Sequence, residues 1–338
     1  MDLLHRGKQS VIFPTRPVVG GCASVVGKKE ADGPLGNTFD LTAEDAKLRK
    51  DSWEKAETQM QKLALGKLLQ KTRLLHSDVD LIFSGDLLNQ CIGSSFALRR
   101  TGIPAIGLYG ACSTMAEGLM LAGAAVNAGY AQRAIAMSSS HFASAERQYR
   151  FPLGYGGQRT PTSQWTVTGC GAVLVQQQGD GVQLVSATAG TVEDKGIKDA
   201  NNMGAAMAWA AYRTIRAHLD DLHLAPEDFD LIVTGDLGFL GKAMVEELFS
   251  SEGVRLGDRY TDCGVLIYDR EKQDVHCGGS GCGCSASVLC GHLLRQMEEG
   301  KCRRLLFCGT GALLSPVSVQ QKESIPAVCH AVSLRLGE

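Results

Sequence analysis

The residues best placed to do chemistry are Cys112 and its neighbours. An apolar run from Ile103 to Leu108 leads into Gly110-Ala111-Cys112-Ser113, and an alanine-rich helical stretch follows. A nucleophile held between a strand and a helix sits on a tight turn that tolerates only small residues on either side. The helix N-terminus beneath it offers free N–H groups and a dipole that favour anions and lower a thiol pKa. Such a cysteine can attack an acyl group. It can equally be a packing residue, because free cysteine is among the most buried residue types. A second thiol-rich turn, Gly281-Cys282-Gly283-Cys284-Ser285, opens another helical stretch late in the chain. Around it lie His276, Cys277, Cys290 and His292. Their CxxxxC, CxC and CxxxxxC spacings do not form paired CxxC knuckles, so they are read as a close-packed turn and not as a zinc site. No lysine follows the glycines at the P-loop position, and dinucleotide spacing is absent. No metal or cofactor is expected.

Two aspartates mark the elements that must position these turns. Residues 78–87 read DVDLIFSGDL and residues 228–237 read DFDLIVTGDL, placing Asp86 and Asp236 at matching points. Each is a short β-branched run ending in a polar turn, which reads as a buried strand. Each follows a stretch of helical periodicity: Trp53, Ala56, Met60 and Leu63 in the first copy; Ala208, Ala211, Tyr212 and Ile215 in the second. The elbow, its helix and the strand Ala134–Met137 are echoed by Gly283–Ala286, its helix and the strand Leu305–Cys308. The chain therefore reads as two duplicated αβ halves, 1–180 and 181–338, meeting at the Gln177–Gly181 turn and packed as one unit. Alternating strands and helices predict an α/β fold with ligands outside the strand ends. Asp86 and Asp236 either face each other near the pseudo-dyad or only cap turns, the second being the expectation for Asp86. The charged stretch Glu44–Lys62 is read as a solvated helix face.

Composition narrows the function. The chain has 338 residues, 44% hydrophobic and 21% charged, with a formal net charge of −2. That permits a large core and excludes extensive disorder. It also argues against a nucleic-acid partner. The twelve cysteines read as reduced core or site residues. The N-terminus lacks the apolar stretch of a signal peptide. The low-charge stretch Met115–Tyr130 is too short and polar for a membrane span and reads as a buried helix.

The GACST elbow, the duplicated halves and the terminal glycine loop resemble the thiolase superfamily, which includes the β-ketoacyl synthases. Within it, KEADGPLGNTFD (29–40), GDLLNQ (85–90), SSHFASAERQYRFPLGYGGQRTPTSQWTVTG (139–169), GSGCGCSAS (279–287) and TGALLSPVSVQQKESIP (310–326) resemble the stage V sporulation protein AD family of spore-forming Firmicutes. The resemblance implies a thiolase-like fold in α-β-α-β-α layers, a homodimer built through first-half strands, and peripheral attachment to the spore inner membrane after cytoplasmic synthesis. It implies the membrane subunits of a sporulation channel as partners. It also implies dipicolinic acid (pyridine-2,6-dicarboxylate), free or as its calcium chelate, as the ligand moved during sporulation and germination.

The same resemblance exposes a departure. Thiolase-like enzymes place a histidine after the second-half strand and a histidine or asparagine at the second elbow. Here those places hold Thr234-Gly235-Asp236 and Gly281-Cys282. An anionic Asp236 cannot polarise a carbonyl as neutral histidine does, and it raises the pKa of Cys112. The expectation is a binding protein on a catalytically degenerate fold, with Cys112 a vestigial nucleophile. The alternative is an active acyltransferase using Cys112 and an atypical base such as His141. Candidate ligand contacts are Cys112, Ser113, His141, Arg150, Arg159, Asp236, Cys282 and Gly311, with Arg147 as a further guanidinium that could pair with a carboxylate.

Overall fold

The computed structural model describes residues 4–149 and 159–337. Ten strands carry the architecture: β1 (Val18–Val26), β2 (Leu81–Asp86), β3 (Ala105–Gly107), β4 (Arg133–Ser140), β5 (Gly169–Gln176), β6 (Val182–Thr188), β7 (Leu231–Thr234), β8 (Tyr260–Asp262), β9 (Arg304–Ala312) and β10 (Ala327–Leu336). The first five run β3-β2-β4-β5-β1, and the second five run β6-β10-β9-β7-β8. β2 pairs in parallel with β3 and β4, while β5 is antiparallel to β4 and β1. The second set repeats this pattern: β7 is parallel to β8 and β9, and β10 is antiparallel to β9 and β6. The two half-sheets join edge to edge through one pairing, Gln183 with Val18. The matching DLIFSGD and DLIVTGD segments become the matching strands β2 and β7.

Five helices complete the layers: α1 (Trp53–Thr72), α2 (Thr114–Asn127), α3 (Met203–Leu222), α4 (Gly238–Ser251) and α5 (Cys282–Val288). α1 is started by Ser52, whose hydroxyl accepts from the Lys55 N–H, and it stops at Arg73 in the left-handed region. It buries Ala56, Met60, Ala64 and Leu68 at helical spacing against β1 and β5. Each fully buried leucine or methionine contributes about 1.5–3 kcal/mol. α3 covers β9 and β10 in the same way. α2 lies between the half-sheets. A Cβ on its Gly118 would meet Ala136 of β4 at 3.3 Å, and one on Gly123 would meet Leu184 of β6 at 2.8 Å. Small residues on opposite faces let one helix pack on two sheets. α5 packs on β5 and β4 beside it. The result is the layered α-β-α-β-α order.

All twelve cysteines are free and buried. The reading of residues 44–62 as a solvated face is corrected. The helix begins only at Trp53, and Glu57 is 1% exposed. Its carboxylate accepts hydroxyls from Ser139 at 3.0 Å and Ser144 at 2.7 Å. Burial and the nearby Asp86 push its pKa up to about 8. Glu57 and Gln61 share the buried face of Ala56 and Met60, where serine hydroxyls meet the Glu57 carboxylate and the Gln61 amide nitrogen. Asp86 caps a turn, accepting from the N–H groups of Leu88 (2.9 Å) and Ser94 (2.7 Å).

Candidate functional site

The elbow is built by hydrogen bonds that close in on themselves. Ala111 takes φ +49°, and residues 111–113 form one tight turn ahead of α2. The Ser113 hydroxyl donates to the Gly110 carbonyl at 2.7 Å, and the Thr114 hydroxyl donates to the Ala111 carbonyl at 2.7 Å. Ser113 is therefore a turn-forming residue, fully buried, and does not line the pocket above it. Gly311 lies in β9 and not in a loop; a Cβ there would come within 2.3 Å of the Gly110 carbonyl and 3.3 Å of the Cys112 nitrogen. Its role is to let β9 touch the elbow.

Cys112 sits at the base of a pocket with about 530 Å³ of empty space. Its thiol lies beside the Asp236 carboxylate. Asp236 follows β7 and is fully buried. Its Oδ1 accepts the Thr310 hydroxyl at 2.7 Å and its Oδ2 accepts the Gly281 N–H at 2.9 Å. Burial pushes its pKa up to about 6, against the pull of those hydrogen bonds. Burial, then the charges of Asp236 and Cys282, raise the Cys112 thiol well above its ordinary value. The activating helix N-terminus anticipated from the elbow is thus outweighed by desolvation and by the adjacent carboxylate. Cys282 opens α5 after Gly281, which takes φ +98°. Its thiol turns away from the pocket and donates to the Ser139 carbonyl at 2.9 Å. Cys282 packs with Cys112, Leu87 and Ala145 beneath the pocket floor.

The remaining candidates lie elsewhere. His141 is buried with its Nε2 2.6 Å from the Ala46 carbonyl and its Nδ1 accepting from the Ala143 N–H. Burial holds its pKa down. It satisfies a local turn and does not line the pocket. Arg147 pairs with Glu54. Arg159 pairs with Asp274 at 3.0 Å and lies over the Trp165 ring. Arg150 lies outside the described residues.

The pocket walls are residues that motif reasoning passed over. Tyr109 and Tyr149 join hydroxyls at 2.6 Å, and the Tyr149 hydroxyl donates to the Leu87 carbonyl at 2.7 Å. Thr166, Glu146 and Ser280 add polar groups, and Met203 and Leu314 add apolar surface. Glu146 is the one charged side chain among the described lining residues. The available signal was proximity: Tyr109 lies three positions before Cys112, while Glu146, Tyr149 and Thr166 fall inside the 139–169 segment.

The family model for stage V sporulation protein AD (SpoVAD) matches residues 7–335. The stage V sporulation protein AD of Bacillus subtilis (strain 168) is 45% identical over 326 residues, covering 96% of each chain. This chain belongs to the SpoVAD family. Among solved structures, 3-oxoacyl-[acyl-carrier-protein] synthase III from Aquifex aeolicus VF5 is similar, with a TM-score of 0.59 at 15% identity over 94% of this chain and 99% of that one. A cerulenin-bound OleA from Xanthomonas campestris gives 0.62 at 13% identity over 96% and 98%. At that identity the likeness shows the fold. This SpoVAD chain is a sporulation protein on a thiolase-like fold, and no helix among its described residues is long and apolar enough to cross a membrane.

Proposed function

We propose that this SpoVAD chain is a dipicolinate-binding protein that uses the pocket above Cys112 for binding and not for acyl transfer, and that it serves dipicolinate movement with an inner-membrane channel of the spore. The observation that carries this reading is the buried Asp236 carboxylate beside the Cys112 thiol, which it and burial hold well above its ordinary pKa. A buried acid occupies the place where an enzyme of this fold keeps a proton-accepting histidine, so the pocket persists while the nucleophile is held as a thiol. The pocket's aromatic and apolar walls suit a flat ring.

The ligand is dipicolinate, free or as its calcium chelate, whose cation takes oxygen ligands. Titration calorimetry of the purified protein with dipicolinate, with and without calcium, tests the reading. Saturable binding that weakens in Cys112→Ala is the expected result, and absence of saturable binding in both conditions overturns it.

The retained elbow favours a second reading, an acyltransferase with Cys112 as nucleophile. An acyl-enzyme mass on Cys112 after incubation with acyl-CoA thioesters would establish it. A homodimer is the expected assembly. β3 ends the sheet, all three of its residues are exposed, and Ile92, Phe96, Ile106 and Tyr109 are exposed around it. An unpaired edge with apolar neighbours invites pairing with a second copy.

A further inference from the structure

Two cations crowd one face of the Trp165 ring. The Phe142 ring stacks on Trp165 at 3.9 Å with an interplanar angle of 8°, so that face of the indole is covered. The Lys29 Nζ lies 3.7 Å from the ring centroid and the Arg159 guanidinium carbon 4.7 Å from it, which puts both on the opposite face. Each cation alone gains from the ring quadrupole. Side by side they repel. Burial and the neighbouring Arg159 hold the Lys29 pKa below the ordinary lysine value. None of these residues lines the pocket above Cys112. Trp165 precedes Thr166, which does line it, and successive side chains of a strand point to opposite sides. The ring therefore stands on the reverse of that pocket wall.

The backbone fixes this crowding. The Asp274 carbonyl accepts from Lys29 Nζ at 3.0 Å and from Arg159 Nη2 at 2.8 Å. The segment that carries Asp274 is pinned on both sides. The Gln273 amide donates to the Lys29 carbonyl at 2.7 Å, and the Cys277 N–H donates to the Ser163 carbonyl at 2.9 Å. The Asp274 Oδ1 meets Arg159 Nη2 and His276 Nε2, each at 3.0 Å, but this side chain is 76% exposed. A carboxylate in water neutralises its neighbours weakly. Glu30 adjoins Lys29 in sequence and is committed elsewhere. It accepts from the Tyr268 hydroxyl and the Thr168 N–H, and burial pushes its pKa up.

A second, independent observation is an uncompensated donor. Arg159 Nη1 is buried and has no hydrogen-bond partner among the described residues, although Nη2 is engaged by Asp274. A buried donor without an acceptor is costly, more so on a charged group. The Arg159 side chain as a whole keeps 20% of its surface exposed, so the guanidinium is in reach of solutes.

We propose that Lys29 and Arg159 form an oxyanion site, separate from the Cys112 pocket, that takes a phosphate group. The phosphate lies between the two cations and accepts from Arg159 Nη1 and Lys29 Nζ. Arginine supplies a directed fork and lysine a movable point charge, and both suit phosphate. Phosphate brings oxygens in several directions, so it meets both cations while Asp274 keeps its contacts. Bridging also removes the repulsion between them, so occupancy stabilises the fold.

The test titrates inorganic phosphate into the purified full chain by calorimetry and by thermal melting at fixed ionic strength. Wild type is compared with Arg159→Gln, Lys29→Gln and Lys28→Gln, each checked for folding by circular dichroism. Lys28 is exposed beside the site and removes an equal charge. Arg159→Gln also loses the Asp274 ion pair, so Lys29→Gln decides the matter if that variant does not fold. Wild type is expected to bind saturably and to melt higher with phosphate. Each site variant is expected to bind about tenfold more weakly, the worth of one charged hydrogen bond. Lys28→Gln is expected to bind as wild type does. Vesicles of phosphatidylglycerol, against phosphatidylcholine, separate a lipid-borne phosphate from a free one. Vesicle binding lost in Lys29→Gln and kept in Lys28→Gln supports the site with a lipid-borne phosphate. The proposal is overturned if neither phosphate nor vesicles bind saturably. Binding unchanged in Lys29→Gln, or weakened equally in Lys28→Gln and Lys29→Gln, overturns it as well.

Discussion

The Cys112 thiol lies beside the buried Asp236 carboxylate, which is fixed by the Thr310 hydroxyl at 2.7 Å and the Gly281 N–H at 2.9 Å. In an acyl-transfer enzyme the group facing the thiol must take its proton and then stand as a cation beside the thiolate. Asp236 can take the proton, but it then stands neutral and never as a cation. A proton passed from sulfur to this carboxylate leaves a thiolate without a neighbouring positive charge in a buried site. The elbow geometry and its activation are therefore separate properties, and this chain keeps the first.

That separation has a chemical readout. Replacing Asp236 with asparagine removes the nearest negative charge from Cys112 and preserves the size of the side chain. The thiol pKa falls, and each unit of fall gives about tenfold more thiolate. Wild-type Cys112 should react slowly with iodoacetamide at pH 8, and Asp236→Asn should react about tenfold faster, as followed by intact-protein mass. Equal rates would mean that burial alone controls the thiol.

Glu57 gives the fold a pH dependence. Its pKa is about 8 in the folded protein against an ordinary value of 4.5. An acid whose folded pKa is raised contributes stability that is full below the unfolded pKa and is lost as pH rises through the folded one. Over the window from about 4.5 to about 8 the protein should lose stability on this account, at roughly 1.4 kcal/mol per unit of pKa difference at most. Glu57→Gln cannot ionise and keeps hydrogen bonds to Ser139 and Ser144. Its melting temperature should fall less steeply across that window. Parallel pH profiles for the two proteins would assign the slope to other groups.

The duplicated strands, the elbow and the layer order were legible because they rest on local rules: β-branched runs ending in Ser/Thr-Gly-Asp, small residues around a thiol, and helical spacing in between. The placement of Asp236 at a strand end was legible for the same reason, since it occupies a position defined by a repeat. The burial of Glu57 was not, because the serines that compensate it, Ser139 and Ser144, are distant in sequence. The contacts of His141 and Arg159 were not legible, because a strand end and a nearby motif do not fix where a side chain points; Ala46 and Asp274 do.

The β3 edge should mediate self-association. Ile106 is 47% exposed at the centre of a three-residue strand that closes one end of the sheet. A charge there costs nothing in a monomer, where the side chain meets water, and blocks close pairing of two apolar edges. Light scattering should give a dimer mass for wild type and a monomer mass for Ile106→Lys, with unchanged circular dichroism. A wild-type monomer at all concentrations would exclude the dimer.

Glu146 distinguishes the two forms of the ligand. It is the charged residue at the pocket wall, and the Thr166 hydroxyl points to its Oε1 at 3.5 Å. If the calcium chelate is the bound species, Glu146 supplies an oxygen ligand or a compensating charge to the cation, and Glu146→Gln keeps the shape and removes that charge. Binding of dipicolinate with calcium should then weaken about tenfold, the worth of one charged hydrogen bond at its lower bound. Binding of free dipicolinate should hold, because no cation is then present for Glu146 to meet. Calorimetry of both ligand forms against both proteins reads the four affinities. An equal loss with and without calcium would make Glu146 a structural wall, and a loss confined to the free acid would show that it donates as a protonated carboxyl and that no cation enters with the ligand.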